Sequence, residues 1–173
     1  VFAMAKKESF QISLAEWSFH KALFAGKLTN MDFPLKAKNE FGINIVEYVS
    51  AFFDKKEGDT AYMKELLTKT KNEGIQNHLI MVDREGNLGD LDEKARITAV
   101  ENHYKWIEAA KYLGCKTIRV NAAGKGTADE VKTAAVDGLG RLSEYGKKHK
   151  IYVIVENHGC YSSNGQWLSD VMK

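Results

Sequence analysis

Long apolar runs are missing from this sequence. Charged residues interrupt every candidate well short of the roughly 18 consecutive apolar residues that a helical bilayer span requires, which excludes an integral membrane protein of that kind. An excess of one charge is missing too, since 25 Lys and Arg face 23 Asp and Glu. These charges are scattered, with no basic block to track a nucleic-acid backbone or to hold a helix on a membrane surface. A field this weak suits a small or neutral ligand. Cysteine is scarce: Cys115 and Cys160 are too few for a disulfide framework and lack metal-ligand spacing, so both read as isolated thiols. Nothing resembles the G-x-G-x-x-G turn of a dinucleotide fold or a P-loop.

What is present describes an ordinary globular chain, with 173 residues of which 44% are apolar, enough for a real core and, by default, one domain over residues 1–173. The opening segment Val1-Phe2-Ala3-Met4-Ala5-Lys6 is too short for a signal h-region, yet Ala3-Met4-Ala5 has the small-x-small form of a signal-peptidase site. Localisation is therefore left open between the cytoplasm and export, the latter if residues 1–5 are the stub of a cleaved signal.

Short β-branched runs alternate with longer amphipathic stretches, which is the rhythm of βα units. The strands predicted are Gln11 to Ala15, Ile43 to Val46, Ile75 to Val82, Thr117 to Val120 and Ile151 to Val155. Glycines at 42, 74 and 114 each stop a helix just before a strand, and the last helix is expected to begin near Gly165. A run as continuously apolar as Ile151 to Val155 implies burial on both faces, as in a parallel sheet covered by helices. On these assignments Cys115 enters a strand at one end of the sheet and Cys160 leaves another at the opposite end, which argues against a bridge between them. The stretch Ala123-Gly124-Lys125-Gly126 reads either as a phosphate cradle or as a flexible turn.

In parallel α/β folds the chemistry collects where strands end, because the loops there share one face. The polar exits expected are Glu16, Trp17 and His20 after strand one, Glu47 after strand two, Asn121 after strand four, and Glu156, Asn157 and His158 after strand five. Glu156 directly follows Val-Ile-Val, where a partly desolvated carboxylate needs a cation or donors. A metal would satisfy it, and so would a turn or a basic side chain. His158 could orient a ligand or hydrogen-bond a sugar oxygen, or be structural. Trp17 could cover the C–H side of a sugar ring with His20 as a polar tip, or pack in the core. Asn121 suits a hydroxyl contact or a turn. His78 is assigned to packing, and His103 and His149 to helix surfaces.

The segment Glu156-Asn157-His158-Gly159 at the end of a Val-Ile-Val strand resembles the fifth-strand motif of the xylose isomerase-like superfamily, which includes ketose 3-epimerases, inosose dehydratases and AP endonucleases. Gly42-Ile43-Asn44-Ile45-Val46-Glu47 looks like its second-strand signature, and Ser13 to Ser18 is similar to its first. The resemblance implies a (β/α)8 barrel of about 250 residues, of which this chain carries the first five βα units. Half a barrel exposes strand edges, so either the natural chain continues past Lys173 or two copies associate as a homo-oligomer.

The same resemblance implies that Glu156 is the first of four ligands to a divalent metal (Mn2+, Mg2+, Co2+ or Zn2+). The others, an Asp, a His and a second Glu, together with the catalytic base, would lie on later strands. Glu47, His158, Trp17, His20 and Asn121 are then the candidate sugar contacts. The histidines of the AP endonuclease branch are not evident, and a basic surface for a phosphate backbone is lacking. The implied activity is isomerisation or epimerisation of a sugar or sugar phosphate through an enediolate. A keto-cyclitol dehydratase and a non-enzymatic sugar-binding barrel remain as alternatives.

Overall fold

The computed structural model describes residues 10–53 and 55–173. The signal-like segment at the N-terminus lies outside them. Five parallel strands, β1 (Leu14–Ala15), β2 (Ile45–Val49), β3 (Gln76–Met81), β4 (Thr117–Val120) and β5 (Tyr152–Val155), pair in the order of the chain. A 3-10 turn at Glu16–Phe19, then α1 (His20–Phe24) and α2 (Phe33–Phe41), follow β1. Between the later strands lie α3 (Thr60–Asn72), α4 (Glu93–Leu113) and α5 (Ala128–His149), and α6 (Gly165–Val171) closes the described chain. The chain after β1 is helical in two pieces: Gly26 takes a left-handed φ of 66° just past α1, and Pro34, which has no N–H to donate, stands in the first turn of α2.

The helix stops arise as the glycines require. Gly42 and Gly114 take left-handed φ values of 67° and 79°, open to glycine without a Cβ penalty, and turn the chain straight into the next strand. At the other ends, Asp59 and Asp92 accept hydrogen bonds from the first turns of α3 and α4, and Thr127 forms a capping box with Glu130.

Alternation along the strands sorts the core. Val46, Tyr48, Ile80, Ile118 and Val120 are fully buried against the helices. Tyr48 lies edge-on between Phe33 (6.1 Å) and Phe53 (5.7 Å), and Phe53 meets Trp106 at 5.4 Å, so one aromatic chain runs from α2 across β2 to α4. The Tyr48 hydroxyl donates to Asn77 Oδ1 at 2.7 Å, while Asn77 Nδ2 donates to the carbonyl of Leu113 and to Thr70 Oγ1. A buried amide so satisfied ties β2, β3, α3 and α4 together.

The other face of the sheet is open toward β5. Tyr152 and Ile154 are 72% and 40% exposed, so the expected burial of Ile151 to Val155 on both faces is corrected: helices cover one face only. Among the described residues β1 pairs only with β2 and β5 only with β4, which leaves both outer edges unpaired. The first strand is also shorter than predicted, since only Leu14 and Ala15 enter the ladder.

Candidate functional site

Parallel strands place their carboxyl ends on one rim. Along β4 the side chains of Thr117, Arg119 and Asn121 alternate with Ile118 and Val120, and the latter two face the helices, so Arg119 and Asn121 face inward. Arg119 pairs across the ladder with Ile154, and Glu156 follows two residues later on the same inward face. The result is a charged cluster at three strand ends. Arg119 Nε lies 2.9 Å from Glu156 Oε2, and its Nη1 lies 3.2 Å from Asp83 Oδ1. Asn121 Nδ2 donates to the same Asp83 oxygen at 2.8 Å, and its own Oδ1 accepts from Arg119 Nη1 at 3.3 Å. Asp83 is held in turn by Ser50 at the end of β2, whose Oγ accepts from the Asp83 N–H at 3.1 Å.

Glu156 and Asn121 are thus brought together as expected, with Arg119 and Asp83 between them, two residues that the sequence reading did not single out. Glu47 is a correction. It lies inside β2, opposite Ala15, and not at the strand's end. A charged residue after Ile-Asn-Ile-Val looked like an exit, but the ladder continues through Tyr48 and Val49, and the Glu47 carboxylate accepts from Ser13 Oγ at 2.5 Å on the inward face. His158 is exposed, its backbone N–H turned back on the Glu156 carbonyl at 2.8 Å.

Trp17 and His20 form a second group at the rim. Their rings stack at 4.8 Å and 13°, and Phe24 and Phe52 lie 6.1 and 6.0 Å from the indole. Trp17 is 47% exposed, which decides against core packing. His20 Nδ1 bonds to the Trp17 carbonyl at 2.8 Å, fixing the stack.

Glu16, expected among the polar exits after strand one, does not open to the rim. It is fully buried, its two oxygens accepting from the Val49 N–H (2.9 Å) and Asn30 Nδ2 (3.0 Å). Burial pushes its pKa from 4.5 up to about 8 against the pull of those two bonds, so near neutrality the carboxyl holds its proton. His103 is a further correction: it is buried in α4, not on a helix surface, with Nδ1 on the Ala99 carbonyl at 2.7 Å and its pKa lowered by burial. Both thiols are free, as expected, and burial pushes Cys115 up to about 12, which leaves it inert.

The glycines of Ala123 to Gly126 serve packing. A Cβ on Gly124 would lie 2.1 Å from the Gly89 carbonyl oxygen, and the Gly89 N–H bonds to the Ala123 carbonyl at 2.8 Å, so the loops after β3 and β4 lock together and the turn is braced, not flexible.

As to a metal, Glu156 Oε1 has no hydrogen-bond or ion-pair partner among the described residues, and the carboxylate is partly exposed at the rim, so it fits as one ligand. No group of three or more His, Cys, Asp or Glu comes together among the described residues. Nor is any helix of those residues long and apolar enough to cross a membrane.

Residues 35–172 match the family model described as xylose isomerase-like TIM barrel. Similar folds occur in the IolI protein solved with a zinc atom (15% identity, TM-score 0.71, 94% of this chain and 58% of that one). Others are a sugar phosphate isomerase/epimerase from Parabacteroides distasonis (13%, 0.64, 96% and 63%) and D-psicose 3-epimerase solved in the presence of D-fructose (14%, 0.61, 78% and 52%). At these identities the likeness is one of fold, and the chain spans little more than half the length of the structures it matches. Comparison with curated protein sequences gave no match.

Proposed function

Because this chain belongs to the xylose isomerase-like TIM barrel family, we propose that it supplies the first five βα units of a metal-dependent sugar isomerase or epimerase. The observation that carries this reading is the Arg119-flanked carboxylate of Glu156 at the end of β5. Its position follows from the β4–β5 register, and one of its oxygens is left over for a cation. Glu156 would hold a divalent ion together with ligands from outside the described residues.

When bound, such an ion polarises a substrate carbonyl and favours an enediolate over a free carbanion. The work of this chain's own residues is positional. Arg119 and Asn121 donate toward the rim and fix the Asp83 carboxylate, the Trp17–His20 stack offers an apolar face to one side of a sugar ring, and Glu47 accepts a hydroxyl on the inward face. The fold similarity to a ketose 3-epimerase and to a sugar phosphate isomerase/epimerase supports the substrate class.

Metal analysis of the full-length protein and its Glu156→Ala variant after dialysis tests the reading. About one equivalent of divalent metal in the wild type, lost in the variant, is the expected result. No metal in either protein would sink the isomerase mechanism.

A further inference from the structure

β1 ends too soon for its neighbour. The Asn44 carbonyl accepts from the Gln76 N–H on the β3 side, so along β2 the main-chain groups of residues 45, 47 and 49 point the other way, toward β1. The ladder with β1 stops at Ala15, opposite Glu47, where the chain turns off into Glu16–Phe19. The Val49 N–H is left without a strand to bond, and the Glu16 carboxyl takes the strand's place at 2.9 Å. Its other oxygen lies 3.0 Å from Asn30 Nδ2, and Asn30 Oδ1 accepts from the Tyr62 hydroxyl of α3 at 2.6 Å. One buried carboxyl thus ties the turn after β1 to β2 and, through Asn30, to α3.

That turn carries the aromatic stack of the rim. His20 Nδ1 on the Trp17 carbonyl holds the two rings together, so they shift as a unit. Directly after Val49, the 3-10 turn Ser50–Phe52 brings Phe52 to 6.0 Å from Trp17, and its Ser50 Oγ accepts from the Asp83 N–H. The bond from Val49 to Glu16 therefore sets the stack in place relative to the Asp83–Arg119–Glu156 cluster.

Both partners of Glu16 are neutral donors, and no cation pairs with it among the described residues. The titratable groups that face it are phenols, Tyr48 of β2 and, through Asn30, Tyr62 of α3, and burial raises Tyr48 above its ordinary value. The protonated carboxyl can still serve both neighbours: Asn30 can present its amide oxygen to the carboxyl O–H, while the second oxygen accepts from Val49. Without the proton an anion stands in the core with no countercharge. Movement of the turn into water relieves it, and β1 resists with only two ladder residues.

Resting on the reading of the Trp17–His20 stack as a sugar platform of the proposed isomerase, we infer that Glu16 is the positioning residue of that platform and that its proton is a switch: protonated, it docks the turn on β2; ionised, it releases the turn and weakens sugar binding.

The test follows acrylamide quenching of Trp17 in the full-length protein from pH 6.5 to 9.5, with Trp17→Phe subtracting Trp106 and Trp167 and far-UV circular dichroism confirming that the chain stays folded. Quenching should rise at least twofold with a midpoint near pH 8. Glu16→Gln keeps an oxygen for Val49 and an N–H in place of the carboxyl proton, so its quenching should stay low throughout. Glu16→Ala should show the high value already at pH 6.5. In calorimetric titrations of the metal-loaded protein, D-fructose should bind at least tenfold more weakly at pH 9 than at pH 7, and Glu16→Gln should abolish that difference. Flat quenching in the wild type, the same rise in Glu16→Gln, or equal D-fructose affinity at both pH values would each overturn the assignment. Failure of the isomerase reading is distinct, because it shows as metal that does not depend on Glu156, whereas the quenching profile reads Glu16 alone.

Discussion

Arg119 bridges two carboxylates on neighbouring strands, Glu156 through Nε and Asp83 through Nη1. If Glu156 holds a metal, the guanidinium and the cation share one carboxylate, and a fixed positive charge near a divalent ion lowers its affinity. Arg119→Gln should therefore bind Mn2+ on the order of tenfold more tightly, about 1.4 kcal/mol, with the difference shrinking at high salt. A direct titration followed by manganese paramagnetic resonance measures this. Equal or weaker binding in the variant would instead make Arg119 the group that holds Glu156 in position for the ion.

The βα rhythm was legible because glycine stops and β-branched runs are local signals, and strand four was bounded correctly from them. Arg119 carries its signal within the same strand: Thr117, Arg119 and Asn121 alternate with Ile118 and Val120, and that period of two marks an inward polar row. Asp83 directly follows the predicted third strand, but its pairing with Arg119 and Asn121 is a contact between strands that no local pattern reports. His103 carries the corresponding signal on a helix. It stands at helical spacing from Ala99, Val100, Trp106, Ile107 and Ala110, all buried, so it belongs to the apolar stripe despite its polarity. Exposure of the inner face of β5 was not legible, since sequence periodicity reports which residues are apolar and not whether a partner strand is there to cover them.

Glu16 predicts a pH dependence of stability. Its folded-state pKa, about 8, lies above its ordinary 4.5, so the native chain holds a proton that the unfolded chain releases. Stability from this group is fully present below pH 4.5 and is lost as pH rises toward 8. His103 acts with the opposite sign. Burial lowers its pKa, so its contribution is lost as pH falls below about 6.5. Melting curves from pH 5 to 8 should show the wild type losing stability relative to Glu16→Gln as pH rises, since the variant removes one term and leaves the other. Parallel curves would mean that Glu16 ionises normally in the folded chain.

Asn77 predicts a purely structural loss. Its amide accepts from Tyr48 and donates to Leu113 and Thr70, all within the core. Asn77→Ala leaves a buried phenol and a carbonyl without their partners, each costing about 1–3 kcal/mol. Urea unfolding should show a decrease of about 2–6 kcal/mol with an unchanged slope, and metal content of the folded fraction should stay at the wild-type value. A decrease under 1 kcal/mol would mean that water enters and satisfies the stranded groups.

Trp17 separates substrate contact from packing. Its ring is 47% exposed, with His20 stacked on it and Phe24 and Phe52 beside it. The buried half carries a stability cost of about 1 kcal/mol on removal, whereas the exposed half is the surface that a sugar ring would cover. On the proposed isomerase function, Trp17→Ala should raise KM about tenfold with little change in kcat, because an apolar platform binds ground state and transition state alike. Trp17→Phe should recover most of the affinity. Metal content should not move in either variant, since the stack makes no contact with Glu156. If Trp17→Ala lowers the melting temperature but leaves KM unchanged, the stack is a lid on Phe24 and Phe52 and the sugar lies elsewhere on the rim.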